Sequence, residues 1–294
     1  MKVLVIGATG KQGGQVARLL LSKGHEVRAF TRKPDSPEAH QLAALGALIA
    51  TGDLEDPSSV ERAARGVEVL FAMATPYEAG AEAETRQGIN IADAAKSSTG
   101  YLVYNSVANA DKKTGIPHFD SKWKVEEHIR KIGMDCAVIA PVYFMENLLA
   151  RGIEGLKKGV YSSPLAADRK LQQIAVADVA AMSALAIENK SRFVGKRIDI
   201  AGDDLSGAEE AEILSRVIGR GVKYTRLPME EMRKISYDWV KMYEWFTRVG
   251  YSADIKALHR DYPEVEWHTF EAWASQQDWN ALLAPKAEPV AHGI

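Results

Sequence analysis

The sequence has 294 residues but only one cysteine, Cys136, so a disulfide within the chain is impossible. Cys136 lies in the apolar run of residues 136–140, and this context predicts a buried thiol. The chain contains no run of 18 apolar residues, so we predict no membrane-spanning helix. Its formal net charge is −2, which offers no basic field for DNA or RNA and argues against nucleic-acid binding.

The motifs of several common catalytic sites are also absent. There is no His-Glu-x-x-His and no Cys-x-x-Cys, so no metal site is predicted. There is no Gly-x-Ser-x-Gly elbow and no Walker A loop, so neither of those chemistries is supported. The first predicted strand begins at residue 2, which leaves no room for a signal peptide, and we therefore expect a cytoplasmic protein.

The most informative segment is residues 3–13, which read Val-Leu-Val-Ile-Gly-Ala-Thr-Gly-Lys-Gln-Gly. A continuous apolar run predicts a strand buried on both faces, and an amphipathic helix is predicted after the three glycines. Gly7, Gly10 and Gly13 allow a tight turn and the close approach of a pyrophosphate to the helix N-terminus. The segment therefore predicts dinucleotide binding, with a purely structural glycine turn as the alternative.

The residues after the second predicted strand bear on the choice of dinucleotide. This strand spans residues 26–31 and runs into Arg32 and Lys33. A site for NAD usually has an acidic residue here, which accepts from the ribose 2′-hydroxyl. Two cations suit the 2′-phosphate of NADP instead. We predict NADP(H) as the cofactor, with NAD less favoured; the alternative is that both cations form a solvated loop pair.

Strands and helices alternate through the first half of the sequence. Such repeated β-α units with apolar strands predict an α/β fold with a doubly wound parallel sheet of the Rossmann type. Further strands are predicted at residues 47–51, 67–73, 101–104 and 136–140, and helices at residues 56–64, 81–96 and 121–131.

The second half differs in composition. Eleven of the 23 aromatic residues, including five of the six tryptophans, lie in residues 237–279. We predict a dinucleotide-binding domain over residues 1–152 and a smaller C-terminal substrate region over residues 153–294. Residues 172–201 are predicted to return to the first domain as a strand, a helix and a strand. Residues 285–294 are predicted to form a loose tail.

Two predicted strand ends carry candidate cofactor contacts. Asp53 and Leu54 follow the third strand, where they can reach an adenine amino group and cover the ring. The alternative is that Asp53 begins the turn before the next helix. Ala74, Thr75 and Pro76 follow the fourth strand and let the central part of the cofactor pass close to the backbone, unless they are only a strand end with a proline stop.

Three residues after the fifth strand are candidates for catalysis. Ser106 can hold a substrate carbonyl oxygen with its hydroxyl. His118 and Lys122 are four residues apart and share one face if their segment is helical. A lysine beside the nicotinamide ribose holds the ribose hydroxyls and lowers the pKa of a nearby acid. The alternatives are a solvated lysine and a histidine that only begins a helix.

The loop after the sixth strand is expected to lie over the nicotinamide end of the cofactor. Its candidate contacts are Pro141, Tyr143, Phe144 and Asn147, of which Asn147 either orients a ligand or caps the next helix. A later stripe at helical spacing predicts a core between the two regions or a wall of the substrate cleft. Its members are Met232, Ile235, Trp239, Met242, Phe246 and Val249.

Together these motifs resemble the NmrA-like group of atypical short-chain dehydrogenases, in the same order along residues 1–280. The resemblance implies an NADP-binding Rossmann domain and a smaller substrate region. It also implies roles for single residues: Lys122 contacts the nicotinamide ribose and Arg32 the 2′-phosphate. The residues of the glycine turn that would contact the phosphates are Thr9, Gly10, Gln12 and Gly13, and Gly7 and Lys11 belong to the same turn.

One departure from the short-chain dehydrogenase pattern leaves the activity open. His118 stands where the catalytic Tyr-x-x-x-Lys motif has its tyrosine. We therefore keep two hypotheses. The first is an NADP(H)-dependent oxidoreductase that acts on a small organic substrate, aromatic substrates included, with Lys122, His118 and Ser106 as its catalytic residues. The second is a non-catalytic sensor whose surface for a protein partner depends on bound NADP. Neither hypothesis fixes the oligomeric state.

Overall fold

The computed structural model describes residues 1–284, so the predicted tail at residues 285–294 lies outside the described residues. Its strands are β1 (Lys2–Ile6), β2 (Glu26–Thr31), β3 (Leu48–Thr51), β4 (Val69–Ala72), β5 (Leu102–Asn105), β6 (Cys136–Pro141), β7 (Tyr143–Phe144), β8 (Val160–Ser163), β9 (Lys170–Ile174), β10 (Arg197–Ile200), β11 (Asp203–Ser206) and β12 (Lys223–Arg226).

Seven of these strands form one parallel sheet in the order β10-β6-β5-β4-β1-β2-β3. The order reverses between β1 and β4, where Val3 pairs with Val27 on one side and with Val69 on the other. In such sheets the crevice for a ligand opens at the carboxyl ends of the two strands at the reversal. The predicted doubly wound Rossmann sheet is therefore confirmed.

Helices cover both faces of this sheet. The helices of the described residues, some of which belong to the later part of the chain, are α1 (Lys11–Ser22), α2 (Pro37–Ala44), α3 (Pro57–Ala64), α4 (Gly80–Ser98), α5 (Pro117–Lys131), α6 (Asn147–Arg151), α7 (Ile153–Lys157), α8 (Val176–Glu188), α9 (Lys190–Phe193), α10 (Gly207–Ile218), α11 (Met229–Arg233), α12 (Tyr237–Arg248), α13 (Ile255–Asp261), α14 (Phe270–Ser275) and α15 (Trp279–Leu283), with a short 3-10 turn at Ala110–Lys112.

Alternate residues of the central strands face opposite cores. Val3 and Val5 of β1 pack into the core under α1 and α8, whereas Leu4 and Ile6 pack into the core under α3, α4 and α5. Successive side chains of a strand point to opposite faces of the sheet, and helices cover both faces. The side chains on both faces are therefore shielded from water. This burial explains why the central strands are apolar throughout, as in β4, where all four residues are buried.

The later part of the chain adds two small sheets and two further cores. β7, β9 and β11 form one sheet, and β8 and β12 form a parallel pair. Helices α10 and α14 pack together beside them. Within residues 172–201, the predicted first strand joins the small sheet as β9, whereas α8 packs against α1 and β10 pairs with β6.

Two local predictions change in the structure. Helix α5 begins at Pro117, four residues earlier than predicted, because proline suits the first helical position. The predicted single stripe over residues 232–249 is instead divided between α11 and α12, and Ser236 caps α12 by accepting from the Trp239 amide. Ile235 and Val249 are consequently exposed, while Met242 and Phe246 remain buried.

Within the described residues, no helix is long and apolar enough to cross a membrane. The same part of the chain holds no group of three or more histidine, cysteine, aspartate or glutamate residues that could bind a metal ion. Cys136 is buried, as predicted, and burial raises the pKa of its thiol far above the usual range.

Candidate cofactor and substrate site

The glycine turn after β1 has the geometry of a phosphate cradle. Gly7 adopts a φ of 76°, and its carbonyl accepts a hydrogen bond from the Gly10 amide at 2.9 Å. A Cβ on Gly13 would lie 2.4 Å from the Gly7 carbonyl oxygen, so only glycine lets α1 approach the turn. No side chain caps the N-terminus of α1, and its first turn contains no acidic residue. These free amides and the positive end of the helix dipole favour an anion.

The other residues of the turn lie around this helix start. Thr9, Gly10 and Lys11 border a shallow depression whose far side is Glu146. Gln12 points the other way, into the crevice at the carboxyl ends of β1 and β4, and its Nε2 atom has no hydrogen-bond partner among the described residues. A buried donor without a partner is costly, so this atom indicates a place for a ligand acceptor.

Arg32 lies at the exposed end of β2 and forms an ion pair with Glu78, with 2.5 Å between the guanidinium and carboxylate atoms. Lys33 is exposed beside it, and its amide donates to the Thr31 hydroxyl. Asp53 is close enough to raise the pKa of Arg32, after the larger effect of Glu78. The cations predicted to read the 2′-phosphate thus share one sheet edge with two carboxylates.

Asp53 and Leu54 form the turn before α3. The Asp53 side chain accepts from the Glu55 amide at 2.9 Å, and the Leu54 carbonyl accepts from Asn90 at 2.8 Å. The turn that was the alternative interpretation of Asp53 is therefore present. The adenine contacts of both residues remain a prediction.

The ion pair of Arg32 leads to a prediction about cofactor choice. Arg32→Glu should weaken NADP binding by roughly 2–4 kcal/mol, because a charge-assisted contact is replaced by repulsion, while NAD binding should change little. Glu78→Gln should strengthen NADP binding about two- to fivefold, since an exposed competitor for Arg32 is removed. Calorimetric titration with both dinucleotides measures these changes, and an equal loss for NAD and NADP would show that Arg32 does not contact the 2′-phosphate.

Most of the remaining predicted residues line a single space of about 130 Å³, and the name "the cleft" refers to this space from here on. Three chain segments at the carboxyl ends of β4, β5 and β6 and the first turns of α5 supply its walls. The sequence-predicted residues that line it are Gln12, Ala74, Thr75, Pro76, Ser106, His118, Lys122, Pro141, Tyr143, Phe144 and Asn147.

Lys122 is held at the cleft by two acceptors. Its ammonium group lies 2.8 Å from the Glu84 carboxylate and donates to the Ala74 carbonyl at 3.0 Å. Glu84 is fully buried and also accepts from the Ser121 hydroxyl. A buried carboxylate with a cation and a hydroxyl around it fixes the position of that cation. Lys122 is therefore a positioned charge at the cleft and not a solvated lysine.

His118 lies one helical turn before Lys122 on the same face of α5. Its Nδ1 atom is 2.6 Å from the Asp238 carboxylate, and its amide also donates to that carboxylate at 3.2 Å. The Nδ1 contact is an ion-pair contact off the ring N–H direction, so it is not an aligned hydrogen bond. Asp238 comes from the first turn of α12 and thus ties the C-terminal region to the cleft. Among the described residues, Nε2 is then the ring nitrogen without a carboxylate partner.

Ser106 is part of a buried polar chain behind the cleft. Its hydroxyl donates to Glu126 at 2.5 Å, and Glu126 accepts from the Arg197 guanidinium at 3.0 Å. Burial raises the pKa of the Glu126 carboxyl despite Arg197. When Glu126 is ionised, the Ser106 hydroxyl donates its hydrogen to this carboxylate. Towards a ligand in the cleft, Ser106 can then only accept a hydrogen bond. Ser106 becomes a donor to the cleft only when Glu126 is protonated.

A second buried side chain, Asn105, also lacks hydrogen-bond partners among the described residues and so indicates a place for a polar ligand. Asn105 lies at the end of β5 and lines the cleft, and its amide nitrogen and oxygen have no partner within residues 1–284. Together with Gln12, it offers buried donors and an acceptor that only an added molecule can satisfy. The glycine cradle, the uncapped α1 and these amides therefore fit a dinucleotide.

The cleft continues into a larger space of about 550 Å³ in the C-terminal region, which we call the cavity. Tyr143, Asn147, Arg151 and Trp239 line both spaces, and the guanidinium of Arg151 stacks 3.8 Å from the Trp239 ring. Asn147 begins α6 and also contacts Tyr143. Of the predicted stripe, three members line the cavity, namely Met232, Ile235 and Trp239.

The sequence interpretation missed the charged partners of the site. Glu84, Glu126 and Asp238 were not identified, although each contacts a predicted residue. A signal existed for Glu84, which shares a helix face with Gly88 and Ile91, all buried in α4. A carboxylate on an apolar helix face needs a buried partner, so such positions are worth testing in other sequences. No comparable sequence signal pointed to Asp238.

The fold and the cleft together define a Rossmann-type dinucleotide-binding architecture. The chain belongs to the NmrA-like family, which it matches over residues 1–274. The sequence-based resemblance is thereby confirmed.

Curated relatives match most of the chain. An NAD(P)H azoreductase of Xenophilus azovorans is 28% identical over 235 residues, with 79% of each chain covered. An NmrA-like family domain-containing protein of Dictyostelium discoideum is 29% identical over 255 residues, which cover 81% of this chain and 83% of the relative.

Solved structures share the fold. The NADPH-dependent quinone oxidoreductase QOR2 of Escherichia coli, complexed with NADPH, has a TM-score of 0.79 at 24% identity and covers 94% of this chain and 99% of its own. The negative transcriptional regulator NmrA in complex with NADP has a TM-score of 0.77 at 19% identity and covers 95% and 98%.

Proposed function

We propose that this protein is an NADP(H)-dependent oxidoreductase that transfers hydride to or from a small, ring-containing organic substrate. The observation that carries the proposal is the pair His118 and Lys122, which face one cleft with their carboxylates Asp238 and Glu84 and adjoin a large cavity. The azoreductase relative, whose name gives NAD(P)H as cofactor and azo compounds as substrates, supports the assignment to an oxidoreductase.

The cofactor supplies the hydride when it is bound, and the chain supplies the rest. The turn after β1 binds the pyrophosphate with amides of α1, and Arg32 binds the 2′-phosphate. Lys122 would donate its one remaining hydrogen to the nicotinamide ribose, and Glu84 and the Ala74 carbonyl keep it in position. His118 donates a proton from Nε2 to the substrate atom that gains negative charge, while the Asp238 carboxylate stabilises the charged ring. Ser106 shapes the cleft and joins as a donor when Glu126 is protonated.

The role of His118 predicts a loss of rate with an intact cofactor site. His118→Phe should lower the rate of hydride transfer about 10²-fold or more, the usual scale for a general acid, with little change in NADPH affinity. Asp238→Asn should lower it less, because the ring keeps its proton donor but loses a partner for the cationic form. Single-turnover oxidation of NADPH with a panel of quinones and azo compounds measures both, and an unchanged rate in His118→Phe would show that His118 only begins the helix.

Ser106 provides the matched comparison. We expect Ser106→Ala to lower the single-turnover rate by less than about tenfold, because its hydroxyl hydrogen is directed at Glu126 in the ionised state. A loss as large as that of His118→Phe would instead assign the donor role to Ser106.

One observation favours the second function, an NADP sensor. The Arg32–Glu78 ion pair joins the end of β2 to the loop before α4. If Arg32 leaves Glu78 to bind a 2′-phosphate, the loop would lose this ion pair, which would give a surface that depends on the cofactor. No turnover with the whole panel, together with an NADP-induced change in protease sensitivity or assembly state, would establish the sensor and contradict the enzyme.

A further inference from the structure

A buried acidic group lies in the cavity, outside the cleft and its proposed chemistry. Glu210 is 3% exposed in the first turn of α10, on the apolar face of this helix. When Glu210 is ionised, its two carboxyl oxygens accept from the Tyr161 hydroxyl at 2.5 Å and from the Gln173 amide at 2.6 Å. These three residues, which we call the Glu210 cluster, come from α10, β8 and β9, and all three line the cavity.

We propose that the Glu210 cluster recognises a neutral oxygen acceptor, such as a ketone carbonyl, on a ring-containing ligand in the cavity. The inference rests on the proposed function in that it names a substrate class for the same site. At neutral pH the cluster holds more O–H hydrogens than the protein acceptors around it can use.

The hydrogen count of the cluster leaves one donor unused. Burial raises the pKa of Glu210 to about 8, so at neutral pH the carboxyl and the Tyr161 hydroxyl carry two O–H hydrogens between them. Their 2.5 Å contact accommodates only one of these hydrogens. Within residues 1–284 the two groups form no further hydrogen bond except the one that Glu210 accepts from Gln173. Glu210 is almost fully buried, whereas Tyr161 is half-buried and lines the cavity. We therefore assign the hydrogen of the contact to the protonated Glu210, which donates to the Tyr161 oxygen, and the spare hydrogen to the Tyr161 hydroxyl.

The surroundings favour a neutral ligand group. No cation pairs with Glu210 among the described residues, and the neighbouring acids Asp203 and Glu209 raise its pKa further. The titratable or polar groups that face the cluster are Tyr143 of β7, Gln173 of β9, Asp203 of β11, Glu209 of α10, Tyr224 of β12 and Tyr243 of α12. Arg151 and Arg169 also line the cavity, but neither pairs with Glu210, so the protonated cluster itself offers a hydrogen to a neutral carbonyl oxygen.

The apolar residues that line the cavity favour a ligand whose body is apolar and contains rings. Leu148, Leu165 and Met232 line the cavity beside the rings of Trp239 and Tyr243. A space of about 550 Å³ accommodates a ligand of more than one ring. Such a ligand would extend from the Glu210 cluster past Tyr143 towards the cleft, because Tyr143 lines both the cavity and the cleft.

The test compares two probes of similar size, acetylnaphthalene, which carries a ketone, and isopropylnaphthalene, which carries no oxygen. Both are titrated by calorimetry into the protein saturated with oxidised NADP, at about pH 6.5 and about pH 9.5. We expect acetylnaphthalene to bind about tenfold more tightly at the lower pH, the scale of one hydrogen bond. At the higher pH the ionised cluster has no spare hydrogen, and the preference should fall to about twofold or less.

Three variants locate the donor. Tyr161→Phe should remove the preference at both pH values. Glu210→Gln should keep it at both, because the amide donates to Tyr161 as the protonated acid does but does not titrate. Tyr224→Phe is the matched control and should keep the wild-type pattern, since the Tyr224 hydroxyl already donates to the Ser163 and Leu165 carbonyls.

The outcomes are separable from those of the proposed function. Equal affinity of the wild type for the two probes, no binding of either, or a preference that survives Tyr161→Phe would each overturn the inference. A protein that does not bind NADP would contradict the proposed function instead. The probes would then be titrated into the free protein, where the same pattern would still support the Glu210 cluster.

Discussion

Gly13→Ala should weaken the binding of NADP and NAD alike by about 100-fold or more, which corresponds to roughly 3 kcal/mol. The added Cβ would lie 2.4 Å from the Gly7 carbonyl oxygen and 2.6 Å from its carbon, distances that backbone atoms cannot accept. The turn and the start of α1 must move apart, and the amides that face the pyrophosphate lose their positions. Calorimetric titration with both dinucleotides measures the loss.

A matched glycine separates this effect from a general loss of stability. A Cβ on Gly100, at the start of the segment before β5, meets nothing within 4 Å, so Gly100→Ala should bind both dinucleotides like the wild type. Thermal unfolding of both variants shows whether the fold survives. If Gly13→Ala keeps the wild-type affinity for NADP, the three glycines form only a turn and the cofactor assignment fails.

Lys122→Met should lower the single-turnover rate of hydride transfer about 10²- to 10³-fold, far more than it weakens NADPH binding. The proposed cause is the loss of the fixed cation that would hold the nicotinamide ribose. The single variant also leaves the buried Glu84 without its cation, which costs roughly 3–5 kcal/mol of stability. Stability and rate must therefore be measured on the same variants.

The double variant Lys122→Met, Glu84→Gln separates the two effects. A neutral amide at position 84 still accepts from the Ser121 hydroxyl and no longer needs a cation, so the melting temperature should return close to that of the wild type. The rate should stay as low as in Lys122→Met. Recovery of both stability and rate in the double variant would show that Lys122 has only a structural role.

The fold was predictable from local patterns because its central strands are buried on both faces. Apolar runs such as residues 3–6 identify such strands directly, and glycine turns and helix starts mark the units between them. The residues at which the helices begin and end were predicted less accurately. Pro117 lengthens α5 at its start, and Ser236 breaks the predicted stripe into two helices, since a capping side chain outweighs apolar spacing. The pairing of β8 with β12 joins segments about sixty residues apart and had no local signal.

The site was predictable only to the extent that it follows strand ends. Ser106, His118 and Asn147 line one cleft because the carboxyl ends of β5 and β6 and the start of α5 meet at the same sheet edge. The carboxylates that hold Lys122 and His118 come from elsewhere: Glu84 from α4 and Asp238 from α12. Sequence spacing does not report such contacts, because they depend on how distant helices pack.

The central claim is that hydride passes between NADP(H) and a substrate in the cleft beside Lys122 and His118. The most direct measurement is a single turnover with NADPH that carries deuterium at the transferable position, mixed with the quinone and azo panel. We predict NADPH oxidation in at least one reaction, a slower rate with the deuterated than with the unlabelled NADPH, and a rate that falls in His118→Phe. NADPH that binds stoichiometrically but stays unoxidised with every member of the panel would contradict the account.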